Sequence, residues 1–300
     1  MKHMVRVSFD GYDIPGGPQP MLESLEIRSE EMAIEEVPVL GRQVVRVTLE
    51  WRDSRLLRLL HQLEGNGVRW LEFHRDKFTD QEIEKTRLFL MLSSGECEID
   101  GGVEWGTTYD LTQACPACGT GGRQTSALFV DGRQIDMLAD HRAATTYFWH
   151  HLVDEGLAAD LSRIDARGLS FRSVYAVMED GRQKKLPCKQ MIAEKTLPPM
   201  SPRKSGFGRD EQCRVCDRNG YGLDFMKAPW RFVYREVDVR DADDVNVTWE
   251  NAGFARLKPN LRESLLSRPF MIVSPKVRRV FLEAGVTSFE WTPVLIDAAN

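Results

Sequence analysis

Two short stretches, "CPACG" at 115–119 and "CRVC" at 213–216, constrain what this 300-residue chain can fold into more than anything else in it. Each sets two cysteines three positions apart in a turn, and 94 residues separate the pairs. A CxxC turn brings two sulfurs to one side, where both can bind one ion while backbone N–H groups bond to them. Four thiolates from two such turns match a tetrahedral zinc site with Zn–S bonds of about 2.3 Å. The residue after the second cysteine often needs positive φ. Gly119 adopts it with little strain; Asp217, in the same place of the second turn, does so at more strain.

A disulfide or a redox centre would begin the same way. The N-terminal "MKHMVRVSFDGYD" turns polar at once and has no apolar signal region, so a reducing, cytoplasmic setting is expected and disulfides are disfavoured. A thioredoxin-like role requires a helix after the CxxC, which Gly119, Gly121 and Gly122 oppose. The bland alternative is four reduced, packed thiols. The preferred reading is one shared, structural Zn²⁺ on Cys115, Cys118, Cys213 and Cys216, closed by four sulfurs with no open position for catalysis. Such an ion ties residue 115 to residue 213 across an inserted segment. Cys97 and Cys188 read as thiols outside the site.

Hydrophobic content of 42% and charged content of 28% are globular values, and no run approaches the ~18 apolar residues of a membrane span. The formal charge of −5 is uneven. Segment 182–218 has ten Lys/Arg against four Asp/Glu, leaving 30 against 41 elsewhere. An acidic body with one basic segment opposes general nucleic-acid binding and suits an electrostatically matched protein partner. A zinc-ribbon-like nucleic-acid binder using Lys184, Lys185, Arg203 and Lys204 is the alternative.

Periodicity predicts an α+β protein, mainly antiparallel sheet with several helices. "VRVSF", segment 44–51 and "VRWLEFH" read as strands, and "DSRLLRLLHQLEGNG" as a helix with Asp53 or Ser54 as N-cap. "TDQEIEKTRLFLML" starts helix-like and ends strand-like. "ALFVDGRQI" resembles a hairpin turning at Asp131-Gly132, "ATTYFWHHLVDEGLAADL" a helix, and "GLSFRSVYAVMEDG" a strand. The basic, proline-punctuated 182–208 reads as an extended connector. At the end, strand 270–273 leads to Ser274 as N-cap and Pro275 at the first helical position. Val277, Val280, Phe281 and Ala284 share one face, Gly285 stands where a C-cap belongs, and "TSFEWTPVLI" is a final strand. Three regions are expected: 1–110, N-terminal α+β; 111–222, the zinc-site region with its connector; and 223–300, the C-terminal strand–helix–strand region.

No catalytic residue emerges. There is no HExxH or GxSxG, and "GTGGRQT" lacks the spacing of a phosphate loop. On a helix His150 and His151 would face different ways, one packed and one exposed. Asp140 and His141 read as helix-start caps. The protein is therefore expected not to be an enzyme.

As a whole, "CPACG", "CRVC" and the ending "RPFMIVSPKVRRVFLEAGVTSFEWTPV" resemble the bacterial double-CXXCG motif family, myxobacterial-type proteins that include immunity proteins for contact-delivered toxins. The likeness covers the chain from about residue 100 onward well and the first hundred residues loosely. Asp217 departs from the family's glycine, although both thiols remain. The resemblance implies a cytoplasmic, non-enzymatic protein that binds and neutralises a cognate toxin, with zinc holding its fold. Acidic stretches such as "ESLEIRSEEMAIEE" are candidate contacts for a basic toxin cleft.

Overall fold

A computed structural model of the chain describes residues 1–138, 141–201, 205, 212–221, 228–252 and 268–297. These form two compact units: Met1–Glu84 with Leu223–Trp230, and Lys85–Gly222 with Arg231–Asn300. The fold is α+β with mostly antiparallel sheet. Among the described residues no helix is long and apolar enough to cross a membrane.

In the first unit, alternation does most of the work. Strands Lys2–Asp10 and Arg42–Glu50 pair antiparallel with Val7 opposite Val47, so every second residue points the same way. Val5, Val7, Phe9, Val45, Val47 and Leu49 are buried on that face. Met32–Val37 and Trp70–Lys77 complete a four-stranded antiparallel sheet on either side. Helix Ser54–Gly65 packs Leu56, Leu59 and Leu63 into the same core, and its Asp53 N-cap accepts from Arg55 N–H. Helix Pro18–Ser24 adds Met21 and Leu22.

A charged cluster locks the start of helix Ser54–Gly65. Arg55 donates to both Glu31 oxygens at 2.8 Å and to Asp53 Oδ2 at 2.7 Å. Arg28 Nη2 donates to Glu31 Oε1 at 2.6 Å. Hydrogen bonds from Arg28, then Arg55, hold the Glu31 carboxyl well below its usual range, and Arg55 lowers Asp53. A carboxyl whose pKa is depressed by folding stabilises the fold above its unfolded pKa, near ~4.3 for Glu. That contribution is lost as pH falls toward the folded value. Stability should therefore decline below about pH 4. Glu31→Gln should remove about 1–2 kcal/mol at pH 7, after allowance for solvent screening, and flatten the acid limb. Urea denaturation of both proteins between neutral and acid pH checks this. Equal acid slopes would refute it.

The second unit contains two larger sheets. One runs in the order Glu98–Ile99, Ala143–Thr146, His151–Asp154, Gln183–Ala193, Leu169–Val177, Leu128–Asp131; its two outer strands are parallel to their neighbours and the rest antiparallel. The other runs Lys195–Thr196, Val245–Ala252, Arg268–Val273, Phe89–Ser93, Phe289–Pro293, with Asn219–Tyr221 also pairing Val245–Ala252. The C-terminal strand–helix–strand forms as read. Ser274 caps helix Pro275–Glu283 by accepting from Val277 N–H, Val277 and Phe281 are buried, and Gly285 has φ 69°. Strands Arg268–Val273 and Phe289–Pro293 then flank Phe89–Ser93.

Three local expectations are overturned. Residues 183–193 are not a connector but an eleven-residue strand inside the first of these sheets. Leu186, Cys188 and Gln190 are buried in alternation, while Lys184 and Lys185 near the strand's start are exposed. Pro187 is accommodated at an irregularity of register opposite Ser173–Tyr175, where no ladder N–H is needed. Segment 144–161 is helical only from Glu155, capped by Asp154; before that, Ala143–Thr146 and His151–Asp154 form a hairpin. Leu128–Asp131 makes no hairpin at Asp131-Gly132. Asp131 accepts from Arg133 N–H at 2.9 Å and winds the chain into a 3₁₀ helix, Gly132–Leu138, while the strand itself pairs parallel with Leu169–Val177.

Candidate metal centre

The two CxxC turns meet within the second unit. In the first, Cys115 N–H donates to Thr120 O at 2.9 Å and Gly119 N–H to Cys115 O at 2.8 Å. In the second, Cys213 N–H donates to Asn219 O at 2.8 Å and Asp217 N–H to Cys213 O at 2.9 Å. The two turns thus share the bond from the residue after the second cysteine back to the first cysteine, and the second turn closes one residue later than the first. Gly119 has φ 72° and Asp217 has φ 55°, the left-handed conformation expected at both positions. Short strands Tyr109–Asp110 and Arg123–Gln124 pair on either side of the first turn, and Asn219–Tyr221 leads from the second into a sheet.

Their sulfurs converge across the turns. Cys115 Sγ lies 3.9 Å from Cys213 Sγ, and Cys118 Sγ lies 3.5 Å from Cys216 Sγ. All four lie within 4.8 Å of one another. A tetrahedron of sulfurs about 2.3 Å from a central ion has edges of about 3.8 Å, so the spacing fits one ion. Cys118 and Cys213 are buried, and Cys115 and Cys216 are half-buried.

The electrostatics fit a cation as well. Burial raises the Cys115 thiol, and burial with Cys118 and Cys115 alongside pushes Cys216 up to about 12. Cys118 differs. Burial opposes its ionisation, yet hydrogen bonds from the Thr120 hydroxyl and N–H, from the Asn219 side chain and from Cys216 bring it down to about 7. Four clustered thiolates repel one another, and a central divalent ion removes that repulsion and displaces the protons. Asn219, which sequence reasoning missed, supports the same set. It is wholly buried; its Oδ1 accepts from Gly220 N–H at 2.6 Å. Its buried Nδ2 has no other hydrogen-bond partner, and the Asn219 side chain helps lower the Cys118 thiol. The one signal in sequence was its place three residues after Cys216, matching no polar amide in the first turn.

Asp217 gives a local prediction. A side chain at φ 55° is strained where glycine is not. Asp217→Gly should raise stability by up to about 1 kcal/mol without changing metal content. Thermal unfolding and elemental analysis of the variant check both parts.

Other residues singled out in sequence lie elsewhere. Cys97 and Cys188 are buried among the apolar side chains of the six-stranded sheet, and burial pushes Cys188 up to about 12. His150 and His151 are not on a helix, and neither is exposed. Both are buried at 6% exposure, His150 between Tyr109 Oη and Thr146 Oγ1 at 2.8 Å each. His141 caps no helix; the one that follows begins at Glu155 and is capped by Asp154. Asp140, Arg203 and Lys204 lie outside the described residues, as does most of the 201–211 part of the basic run.

Compared with models of known protein families, the chain matches none, and it matches no curated protein.

Proposed function

We propose that Cys115, Cys118, Cys213 and Cys216 hold one structural zinc and that the protein is a cytoplasmic immunity protein, not an enzyme, which binds and neutralises a cognate bacterial toxin. The observation that carries the metal assignment is the closed four-sulfur cluster. Thiolates favour a soft or borderline ion, tetrahedral spacing favours zinc, and four protein ligands leave no position for substrate. The metal therefore serves the scaffold, and function falls to a surface.

The partner reading rests on the resemblance of the turns and the C-terminal strand–helix–strand to toxin-immunity proteins. The first unit offers a surface that suits it. Met32–Val37 ends its sheet among the described residues, and an end strand can recruit a partner's backbone. The turn after it carries Val39 at 95% and Leu40 at 67% exposure. Glu23, Glu26, Glu30, Glu35 and Glu36 are exposed in the same stretch of chain. An apolar tip beside acidic side chains would anchor in a basic cleft, with the charges setting association rate more than final affinity.

The test is protection of cells that produce a toxin encoded beside this chain's gene. Val39→Asp with Leu40→Asp should abolish protection, and Glu35→Lys with Glu36→Lys should slow association about tenfold, both with metal content unchanged. Protection indifferent to these changes, and lost only when the C-terminal strand–helix–strand is altered, would sink this surface. Salt-sensitive binding to DNA or RNA instead would favour the nucleic-acid alternative.

A further inference from the structure

Beside the first CxxC turn, within the second unit, lies a cavity of about 280 Å³ whose chemistry neither the metal nor a toxin surface explains. Gly119, Gly121 and Gly122 of the turn form one wall, Gln124 and Gln190 another, and Tyr109, His150 and Arg268 a third. Arg218 and Arg268 both line it, and among the described residues no aspartate or glutamate does. A guanidinium taken out of water is ordinarily matched by a carboxylate, because desolvating it alone is costly.

Arg268 has no such match among the described residues. Its guanidinium lies 4.6 Å over the Tyr109 ring, and it makes no ion pair there. Crowding lowers its pKa, and the one group opposing that shift is the Tyr109 phenol. Arg218 is spent differently: its Nε donates to Trp249 O at 3.1 Å while it lies over the Trp249 ring. The histidines do not compete as cations, since burial drives His150 well below its ordinary value and His151 to about 4. Gln124 and Gln190 hold each other by reciprocal amide bonds of 2.9 Å, which fixes that wall.

The backbone supplies an independent observation. Trp149, on the cavity wall, has φ 59° in the tight turn where its N–H donates to Thr146 O at 2.7 Å. Such a turn position favours glycine or asparagine, and a bulky side chain there is a true outlier. The strain keeps an aromatic ring on the wall, its centroid 5.0 Å from that of Phe270 and tilted by 32°. Backbone strain of this kind gathers at ligand sites.

We infer that this cavity is a binding site for a small oxyanion ligand, a phosphate or carboxylate received by Arg268 against the Tyr109–His150 wall. Arg268 offers a planar fork of donors suited to either group. The aromatic ring of Trp149 is placed to cover the remainder of the ligand. The inference stands apart from the toxin reading and does not depend on which ion the cysteines hold.

The test is calorimetric titration of the metal-loaded protein with inorganic phosphate, and separately with acetate, at ionic strength held constant with sodium chloride. Saturable binding at one site per chain is expected, at least tenfold weaker in Arg268→Gln and unchanged in Arg182→Gln, an exposed arginine paired with Asp180. Response to phosphate alone identifies a phosphate ligand, and response to acetate as well identifies a carboxylate. If near-UV dichroism shows that Arg268→Gln has lost its fold, Arg268→Lys keeps the charge without the fork and should still weaken binding several-fold. No saturable binding of either anion to the parent protein overturns the inference. So does binding that is equal in the folded Arg268 variant.

Discussion

Cys118→Ser and Cys213→Ser should each empty the metal site and remove about 4–5 kcal/mol of stability from the second unit. The size follows from where the ion sits. It joins chain positions 98 residues apart, and a cross-link closing a loop of about 100 residues stabilises by about 4.7 kcal/mol through the unfolded chain's lost freedom. Binding free energies of structural zinc sites, about 10–16 kcal/mol in small domains, leave ample room for that value. For a unit of this size the midpoint of thermal unfolding should fall by roughly 10–15 °C. The serine hydroxyl is a poor soft-metal ligand, so one replaced sulfur suffices. Elemental mass spectrometry should find one zinc per parent chain and none in either variant, and a chelator should reproduce the loss of stability. Acidification should release the ion too, because Cys216, pushed up to about 12, ionises only while a cation compensates it. Protein prepared without chelator that carries no metal, with stable serine variants, would remove the basis for a shared site.

The turns were legible because their chemistry is local. A CxxC with its following residue fixes sulfur direction, backbone donors and positive φ within five positions, and Gly119 and Asp217 both adopt it. Capping is equally local, which is why Asp53 and Ser274 start their helices as the sequence indicates. Strand partners are not local. Phe89–Ser93 lies between two strands some 180 and 200 positions later, and nothing in its own residues names them. Gln183–Ala193 was hidden by Pro187 and its lysines, since a register irregularity that sets residues 186–188 opposite Val174 alone allows proline inside a strand. Segment 143–154 misled for another reason. "ATTYFWHHLV" is apolar without either period, and only the left-handed Trp149 divides it into a hairpin. Asn219 and Arg268 belong to the same class of omission. An amide or a guanidinium acquires meaning from what surrounds it in space, and those neighbours come from separate parts of the chain.

Phe281→Ala should destabilise the second unit by about 3–5 kcal/mol while leaving the metal bound. Helix Pro275–Glu283 is nine residues long, too short to persist on its own propensity, so it depends on what it buries. Val277 and Phe281 are its fully buried residues, one turn apart. Phe281 meets Phe289 edge-on at 5.8 Å and 86°, and Trp291 at 5.4 Å and 69°. Both partners stand on the last strand of the sheet, so the ring fastens helix to strand, and each such pair adds about 0.5–1.5 kcal/mol beyond area burial. Truncation leaves a hole that these neighbours cannot close without abandoning their own packing. Leu282 is the internal control. It is the next residue, is 46% exposed, and its truncation should change stability by no more than about 0.5 kcal/mol. Urea midpoints for the two variants, with slopes equal to the parent's, separate loss of packing from altered unfolding behaviour. Equal midpoints for Phe281→Ala and Leu282→Ala would mean that the helix is held by something other than its buried face. An undiminished zinc content in Phe281→Ala would show that the metal clamp and the aromatic contact stabilise separate parts of the unit.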